Sequence, residues 1–185
     1  SKVGWCIGMG SYFLTGQRHG LILVDLASEQ REVARICTPD LMQDARFNDA
    51  KADMTGAIWG GVMYENHTEE HKGYLFRLGT DGSYSIKDYG YGIPNGPAIS
   101  PDGLLMLHTD SASRVIYAFD FNAVSGDING KRVWKKFSSE DGTPDGMCFD
   151  CDGFLWVAKW GASSVSRLDY DGRLVSKVKL PTSNI

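Results

Sequence analysis

Three polar residues recur along the chain at nearly constant spacing. Asn48, Asn95 and Asp145 lie 47 and 50 residues apart, and each opens a segment similar to the other two. If these segments are equivalent structural units, the three side chains occupy one position in successive units and converge on a common axis. Two amides and a carboxylate are hard oxygen ligands of the kind that bind calcium or a similar divalent cation. The spacing therefore predicts a metal site built from several repeats.

The repeated unit reads as a set of short antiparallel strands. Residues 145–155 align with residues 95–105, so that the turn Asp152-Gly153 coincides with Asp102-Gly103, and residues 48–58 form a third copy. Each copy continues into a second hairpin, which gives about four strands per unit. A repeat of roughly 40 to 50 residues with four short strands is typical of a β-propeller blade. Residues 10–26 supply two middle strands of an earlier blade, so an all-β domain over residues 1–185 with about four blades is expected.

Composition limits the partners that this domain is expected to have. The formal net charge of −4 and the sequence pI near 5.5 disfavour nucleic acid and anionic membranes. No apolar run approaches the roughly 20 residues needed to cross a bilayer. No stretch looks like a signal peptide, and a cytoplasmic location is therefore expected.

The four cysteines do not form a convincing zinc site. Cys148 and Cys151 are spaced as a CxxC pair, but Cys6 and Cys37 provide neither a second pair nor histidines at ligand spacing. We expect a buried thiol at Cys148, inside a strand, and a turn thiol at Cys151. Unpaired thiols agree with a reducing compartment.

Several other polar residues allow two interpretations. Arg46 could form bidentate contacts with hydroxyl or carboxylate groups, or a structural salt bridge to Asp49 or Asp53. Asp110 could line the pocket or support it, or it could simply cap an Asp-Ser turn. The charged segment 64–72 falls between an inner strand and the next hairpin, where it is expected to be a loop at the channel mouth. Trp160 is placed to form a wall of the same pocket.

Four motifs in chain order closely resemble the SMP-30/gluconolactonase family, which includes the regucalcin-like proteins. The resemblance extends from about Gly10 to Pro181, and the motifs lie at residues 46–53, 93–96, 109–120 and 144–158. It implies a propeller of the six-bladed type that holds one divalent cation in its channel. It also implies hydrolysis of sugar lactones, which many family members carry out.

The resemblance assigns roles to individual residues. Asn95 and Asp145 match two metal ligands, and Asp145 also matches the acid/base residue. Arg46 and Asn48 match residues that contact the substrate, and an acidic substrate-side residue would fall near Glu65. The family's remaining ligand is a glutamate in a Glu-Gly-Pro motif upstream of this chain's start, so parts of the first and last blades are expected to be missing here. Ca²⁺ is the expected ion, with Zn²⁺, Mg²⁺ or Mn²⁺ as alternatives.

The sequence leaves two classes of function open. The first is metal-dependent hydrolysis of a sugar-type lactone, with Asp145 as the catalytic residue and Arg46, Asn48, Glu65 and Asp110 as substrate contacts. The second is a non-catalytic propeller that binds a metal or small ligand after losing its glutamate. Because a partial propeller exposes unpaired strand edges, the chain could be a piece of a longer protein, an inactive remnant, or one copy of a homo-oligomer that completes the ring.

Overall fold

A computed structural model describes residues 3–18, 20–27, 32–37 and 44–185, with the backbone alone described for 32–37. The described residues form sixteen strands and one short 3-10 helix at Thr68–Glu70. The strands are β1 (Val3–Met9), β2 (Tyr12–Gln17), β3 (Gly20–Val24), β4 (Glu32–Cys37), β5 (Ala45–Ala52), β6 (Ile58–Tyr64), β7 (Gly73–Leu78), β8 (Tyr84–Tyr91), β9 (Pro94–Ile99), β10 (Leu105–Asp110), β11 (Val115–Asn122), β12 (Asp127–Lys136), β13 (Thr143–Phe149), β14 (Leu155–Trp160), β15 (Ser164–Leu168) and β16 (Leu174–Lys179).

The strands pair into four antiparallel sheets, each made of four consecutive strands: β1–β4, β5–β8, β9–β12 and β13–β16. The first strand of each sheet lies against the first strand of the next, so that β1 contacts β5, β5 contacts β9 and β9 contacts β13. These four strands line the axis, and the other strands extend outward. The all-β, β-propeller prediction with four four-stranded blades is thereby confirmed, as are the two middle strands predicted within residues 10–26.

Apolar side chains between neighbouring blades hold the arc together. Between the first two blades, the Phe47 ring packs edge-on against Trp5 and Phe76, with centroid distances of 6.2 and 5.3 Å. Between the third and fourth, Leu107 and Val157 are completely buried in a second cluster. Each sheet thus buries its faces against its neighbours, which fixes the relative positions of the inner strands.

The structure locates both cysteines of the CxxC pair. Cys148 was expected to be buried but is exposed, because its strand packs Met147 against the third blade and turns Cys148 to the opposite face. Cys151 lies in a turn as predicted. From their polar sequence, residues 39–45 are predicted to form a connection leading to Arg46, and residues 39–43 of it lie outside the described residues.

Within the described ranges no three histidine, cysteine or acidic side chains cluster as a metal site would. No helix in this part of the chain is long and apolar enough to cross a bilayer.

Candidate functional site

Irregular pairing at the start of the inner strands aims polar side chains into the channel. In β5, Phe47 pairs with Val62 and Ala50 with Gly60, so Asn48 and Asp49 together face one residue of β6. The pairing of β13 shifts in the same way between Pro144 and Met147, around Asp145. A β-bulge interrupts the alternation of side chains and re-aims them. The bulges therefore place two successive polar residues on β5 where a regular strand would offer one.

A continuous chain of hydrogen bonds crosses three blades at this end of the channel. Arg46 Nη1 donates to Asn48 Oδ1 at 2.6 Å, and Asn48 Nδ2 donates to Asn95 Oδ1 at 2.8 Å. Asn95 Nδ2 then donates to Ser111 Oγ at 2.9 Å, and Ser111 Oγ donates to the Pro144 carbonyl at 2.6 Å. Because every donor has an acceptor, the orientation of both amides is fixed by the network. The chain ends next to Asp145.

These residues surround an open pocket of about 360 Å³. Its walls are formed by Arg46, Asn48, Ile93, Asn95, Ser111, Thr143, Asp145 and Trp160. The structure therefore brings together four of the predicted site residues from three different blades, and Trp160 lies where the repeat placed an aromatic wall. Ile93, Ser111 and Thr143 were not singled out from the sequence, because nothing in their residue types distinguishes them from ordinary strand residues.

Asp145 is the acidic group of this pocket. Burial raises the pKa of its carboxyl above the ordinary value, and the hydrogen bond from the Gly146 amide opposes that rise only in part. Within the described part of the chain, no lysine, arginine or histidine forms an ion pair with it. A half-buried carboxylate without a counter-charge favours a bound cation or a proton.

A second carboxylate, Asp49, reaches the same channel and was missed by sequence reasoning. Its Oδ2 accepts a hydrogen bond from the Gly96 amide at 3.1 Å, and its Oδ1 accepts one from the Ala50 amide at 2.8 Å. Burial raises the pKa of Asp49, and the negative charge of Asp145 raises it further, while nearby Lys51 and the two amides lower it. The two acids therefore share one region of low solvation.

Glu65 forms an ion pair with Arg46, which lines one side of the pocket. Arg46 Nε donates to Glu65 Oε1 at 3.0 Å, and Arg18 forms an ion pair with the same carboxylate. The acid that pairs with Arg46 is thus neither Asp49 nor Asp53, the two candidates considered from sequence. Sequence proximity suggested those two, but the pairing of β5 with β6 brings the start of one strand next to the end of the other. Glu65 orients the guanidinium that faces the pocket.

Asp110, expected as a substrate contact, is instead a supporting residue. Its side chain is only 1% exposed. Oδ1 accepts hydrogen bonds from the Gly92 and Ile93 amides at 3.0 Å each, and Oδ2 accepts one from Ser113 Oγ at 2.6 Å. These contacts match the turn-cap alternative, and they hold the backbone of Ile93 at the pocket wall.

Comparison with known proteins identifies the family. The family model described as "SMP-30/Gluconolactonase/LRE-like region" matches residues 1–185. The chain belongs to this family. Its relatives include the pentonolactonase XacC of Haloferax volcanii, which is 30% identical over 179 residues, or 93% of this chain and 60% of the relative. Human regucalcin is 36% identical over 160 residues, or 83% of this chain and 53% of the relative.

The fold is also that of solved structures in the SMP-30/gluconolactonase/LRE-like family. The calcium-binding protein regucalcin from Agrobacterium tumefaciens superposes with a TM-score of 0.88 at 25% identity, covering 97% of this chain and 60% of that one. The present chain therefore spans between 53% and 60% of the length of these three family members.

The pocket's side chains fit the oxygen-ligated cation expected for a member of this family. Asp145 offers a carboxylate without an ion-pair partner in the described ranges, and Asn95 Oδ1 uses one of its two lone pairs for Asn48. Neither histidine nor cysteine lines the pocket. An all-oxygen donor set suits calcium or magnesium better than zinc.

Proposed function

We propose that this chain carries part of the active site of a divalent-metal-dependent hydrolase of sugar-type lactones. The observation that supports the proposal is the position of Asp145. Its half-buried carboxylate has no ion-pair partner among the described residues and shares a pocket with the hydrogen-bonded chain that runs from Arg46 through Asn48 to Asn95. The family relatives named pentonolactonase and putative sugar lactone lactonase support the same chemistry.

Asn95 and Asp145 would hold the cation through their side-chain oxygens, and Ca²⁺ is the ion we propose. When bound, the cation would act as a Lewis acid that polarises the lactone carbonyl. This chain supplies one charged ligand in that arrangement. Since fewer charged ligands generally weaken calcium binding, a further acidic ligand from outside residues 1–185 is part of the proposal.

Arg46 and Asn48 would bind and orient the hydroxylated ring. Arg46 Nε donates a hydrogen bond to Glu65, and Arg46 Nη1 donates one to Asn48 Oδ1. The side chains of Arg46 and Asn48 are therefore held in place before a substrate binds. Pre-oriented polar groups lower the entropic cost of placing the carbonyl next to the attacking water. Trp160 is 49% exposed and offers an apolar surface for the other side of the ring.

Asp145 would act as the general base that takes the proton of the attacking water. A carboxylate is a weak base at neutral pH, so the contribution of Asp145 would come from being held in the pocket next to the attacking water. After ring opening, the same group would return the proton to the alkoxide that leaves. No other pocket-lining residue among those described carries a carboxylate.

The test is lactone hydrolysis by the purified protein, followed as acid release from glucono-lactone and pentono-lactone. We expect turnover that is lost on chelation, recovered on adding Ca²⁺, and abolished by Asp145→Ala. Turnover that survives both treatments would contradict the proposal. Thermal stabilisation by lactone or Ca²⁺ without turnover would instead indicate the non-catalytic binding module.

A cytoplasmic location and association with a second copy of the chain both stay predictions. The mass of the purified protein, measured by light scattering, tests whether copies of the chain associate.

A further inference from the structure

Two polar side chains of β5 extend across the channel next to the proposed ligands without lining the pocket. Asp49 occupies the second position of the bulge, and Lys51 follows two residues later. Both are partly buried. Neither was needed for the substrate or cation contacts described above, so their inward placement requires another explanation.

Asp49 binds the residue that directly follows one proposed ligand and lies beside the residue that follows the other. Its Oδ2 accepts the hydrogen bond of the Gly96 amide at 3.1 Å, one residue after Asn95. The same oxygen lies 3.5 Å from the place a Cβ would occupy on Gly146, one residue after Asp145. One carboxylate thus lies against the inner strands of the third and fourth blades simultaneously.

Lys51 ties β5 to the fourth blade directly. Its Nζ donates to the Met147 carbonyl at 3.1 Å, two residues after Asp145. Met147 in turn packs against Gly96, where an added Cβ would lie only 2.8 Å from the methionine Cε. Gly96 also has a φ of +76°, a conformation that favours glycine. The backbone next to both ligands is therefore tightly confined.

We propose that Asp49 and Lys51 are positioning residues that set the separation of Asn95 and Asp145 and thereby the affinity for the divalent cation. The inference rests on the proposed function, because it assumes that Asn95 and Asp145 share an ion. Residues that orient metal ligands from behind commonly change metal affinity or activity about 10- to 100-fold when replaced.

The experiment compares four variants of the purified protein by calcium titration calorimetry, kcat for lactone hydrolysis and Tm. Asp49→Ala removes the acceptor for Gly96 and should weaken Ca²⁺ binding and lower kcat at least about tenfold. Asp49→Asn retains an acceptor oxygen and should fall between Asp49→Ala and wild type. Lys51→Met removes the tie to Met147 and should weaken Ca²⁺ binding. The matched control is Asp53→Asn, four residues after Asp49 and just past the end of β5, which should lower Tm and leave calcium affinity and kcat unchanged.

The outcomes separate this inference from the proposed function. Asp49→Ala and Lys51→Met proteins whose calcium affinity and kcat stay within about twofold of wild type would overturn the positioning role, whatever happens to Tm. A wild type that binds Ca²⁺ but hydrolyses no lactone would refute the proposed reaction, while the affinities of the variants would still decide the positioning role. A wild type that binds no Ca²⁺ would overturn both.

Discussion

Two carboxylates four residues apart, one in β5 and one directly after it, have opposite surroundings. Just past the end of the strand, Asp53 accepts hydrogen bonds from the Thr55 amide and hydroxyl, the Ala57 amide and Trp59 Nε1, all between 2.6 and 3.1 Å. At the channel end, Asp49 accepts hydrogen bonds from only two backbone amides and lies near the negative charge of Asp145. Asp53 is saturated with donors, whereas the acids of the channel are not.

The fourth blade shows the same contrast between Asp145 and Asp150. Burial alone would raise the pKa of Asp150, but hydrogen bonds from the Phe154 amide, Trp156 and Arg167 outweigh it and bring the pKa to about 2. Burial raises the pKa of Asp145, which has one such amide. Aspartate thus serves in turns at one end of the propeller and in the candidate site at the other, and the number of hydrogen-bond donors around it differs between the two.

The largest effect we expect is on stability, from Asp53→Ala. The substitution leaves Trp59 Nε1 without its acceptor in a fully buried ring and opens the turn to Ala57, at a cost of about 2–3 kcal/mol in the free energy of unfolding. Urea denaturation measures it. Asp145→Asn is the comparison and should leave the free energy of unfolding equal or higher, since it removes an uncompensated charge. A larger loss for Asp145→Asn than for Asp53→Ala would refute the contrast.

Much of the candidate site could be predicted because equivalent positions in a sequence repeat occupy equivalent places in successive blades. The offsets between Asn48, Asn95 and Asp145 are sufficient to place the three residues on neighbouring inner strands, and the structure brings them to one pocket. The repeat left Arg46 open between a substrate contact and a structural salt bridge, and only the family resemblance favoured the substrate contact. Equivalent positions in equivalent blades must meet at the axis, so no knowledge of side-chain contacts was needed.

The rest of the site depends on departures from regular pairing. Sequence periodicity assumes that side chains alternate along a strand, and the bulge in β5 breaks that rule at Asn48 and Asp49. Asp49 and Lys51 were therefore missed. Glu65 was placed only approximately, because its contact with Arg46 depends on the register in which β6 pairs with β5. Cys148 was assigned to the wrong face, since which face of the last sheet is covered is a tertiary property.

Lys159 is a buried, positively charged group that, like the channel acids, lacks in the described part of the chain the partners that Asp53 and Asp150 have. It is 2% exposed, its Nζ has no acceptor among the described residues, and it lies over the Phe137 ring. Burial lowers its pKa from 10.5 to about 7, opposed by Asp141 and assisted by Lys135 and Lys177.

Lys159→Met should therefore stabilise the protein by about 1–2 kcal/mol near pH 6, because it removes a buried charge without a partner. The folded pKa lies below the unfolded one, so the wild type gains stability as pH rises from about 7 to 10.5 and the advantage of the variant disappears over that interval. Urea denaturation at pH 6, 8 and 10 measures both proteins. Lys159→Arg, which keeps the charge, is the control and should not be stabilising. A Lys159→Met protein less stable than wild type at pH 6 would show that packing on Phe137 outweighs the charge.

The smallest effect is the pH dependence that the channel acids add. Their folded pKa values are raised, so each favours folding fully below the unfolded value near 3.8 and loses that contribution as pH rises through the folded value. With chelator present, Asp145→Asn should gain stability relative to wild type as pH rises above about 4, by less than about 1 kcal/mol given partial solvent screening. Asp102→Asn is the opposite case. Hydrogen bonds from Ser100 and the Leu104 amide lower the pKa of Asp102, so this variant should lose stability relative to wild type as pH rises towards about 4 and keep a constant deficit above it. Equal pH profiles for the two variants would mean that the channel and turn carboxylates do not differ in the way their hydrogen bonds indicate.

Adding Ca²⁺ should make Asp145→Asn less stable than wild type, and it should not change the relative stability of Asp102→Asn. The reason is that a bound cation stabilises the ionised carboxylate of Asp145, which burial disfavours.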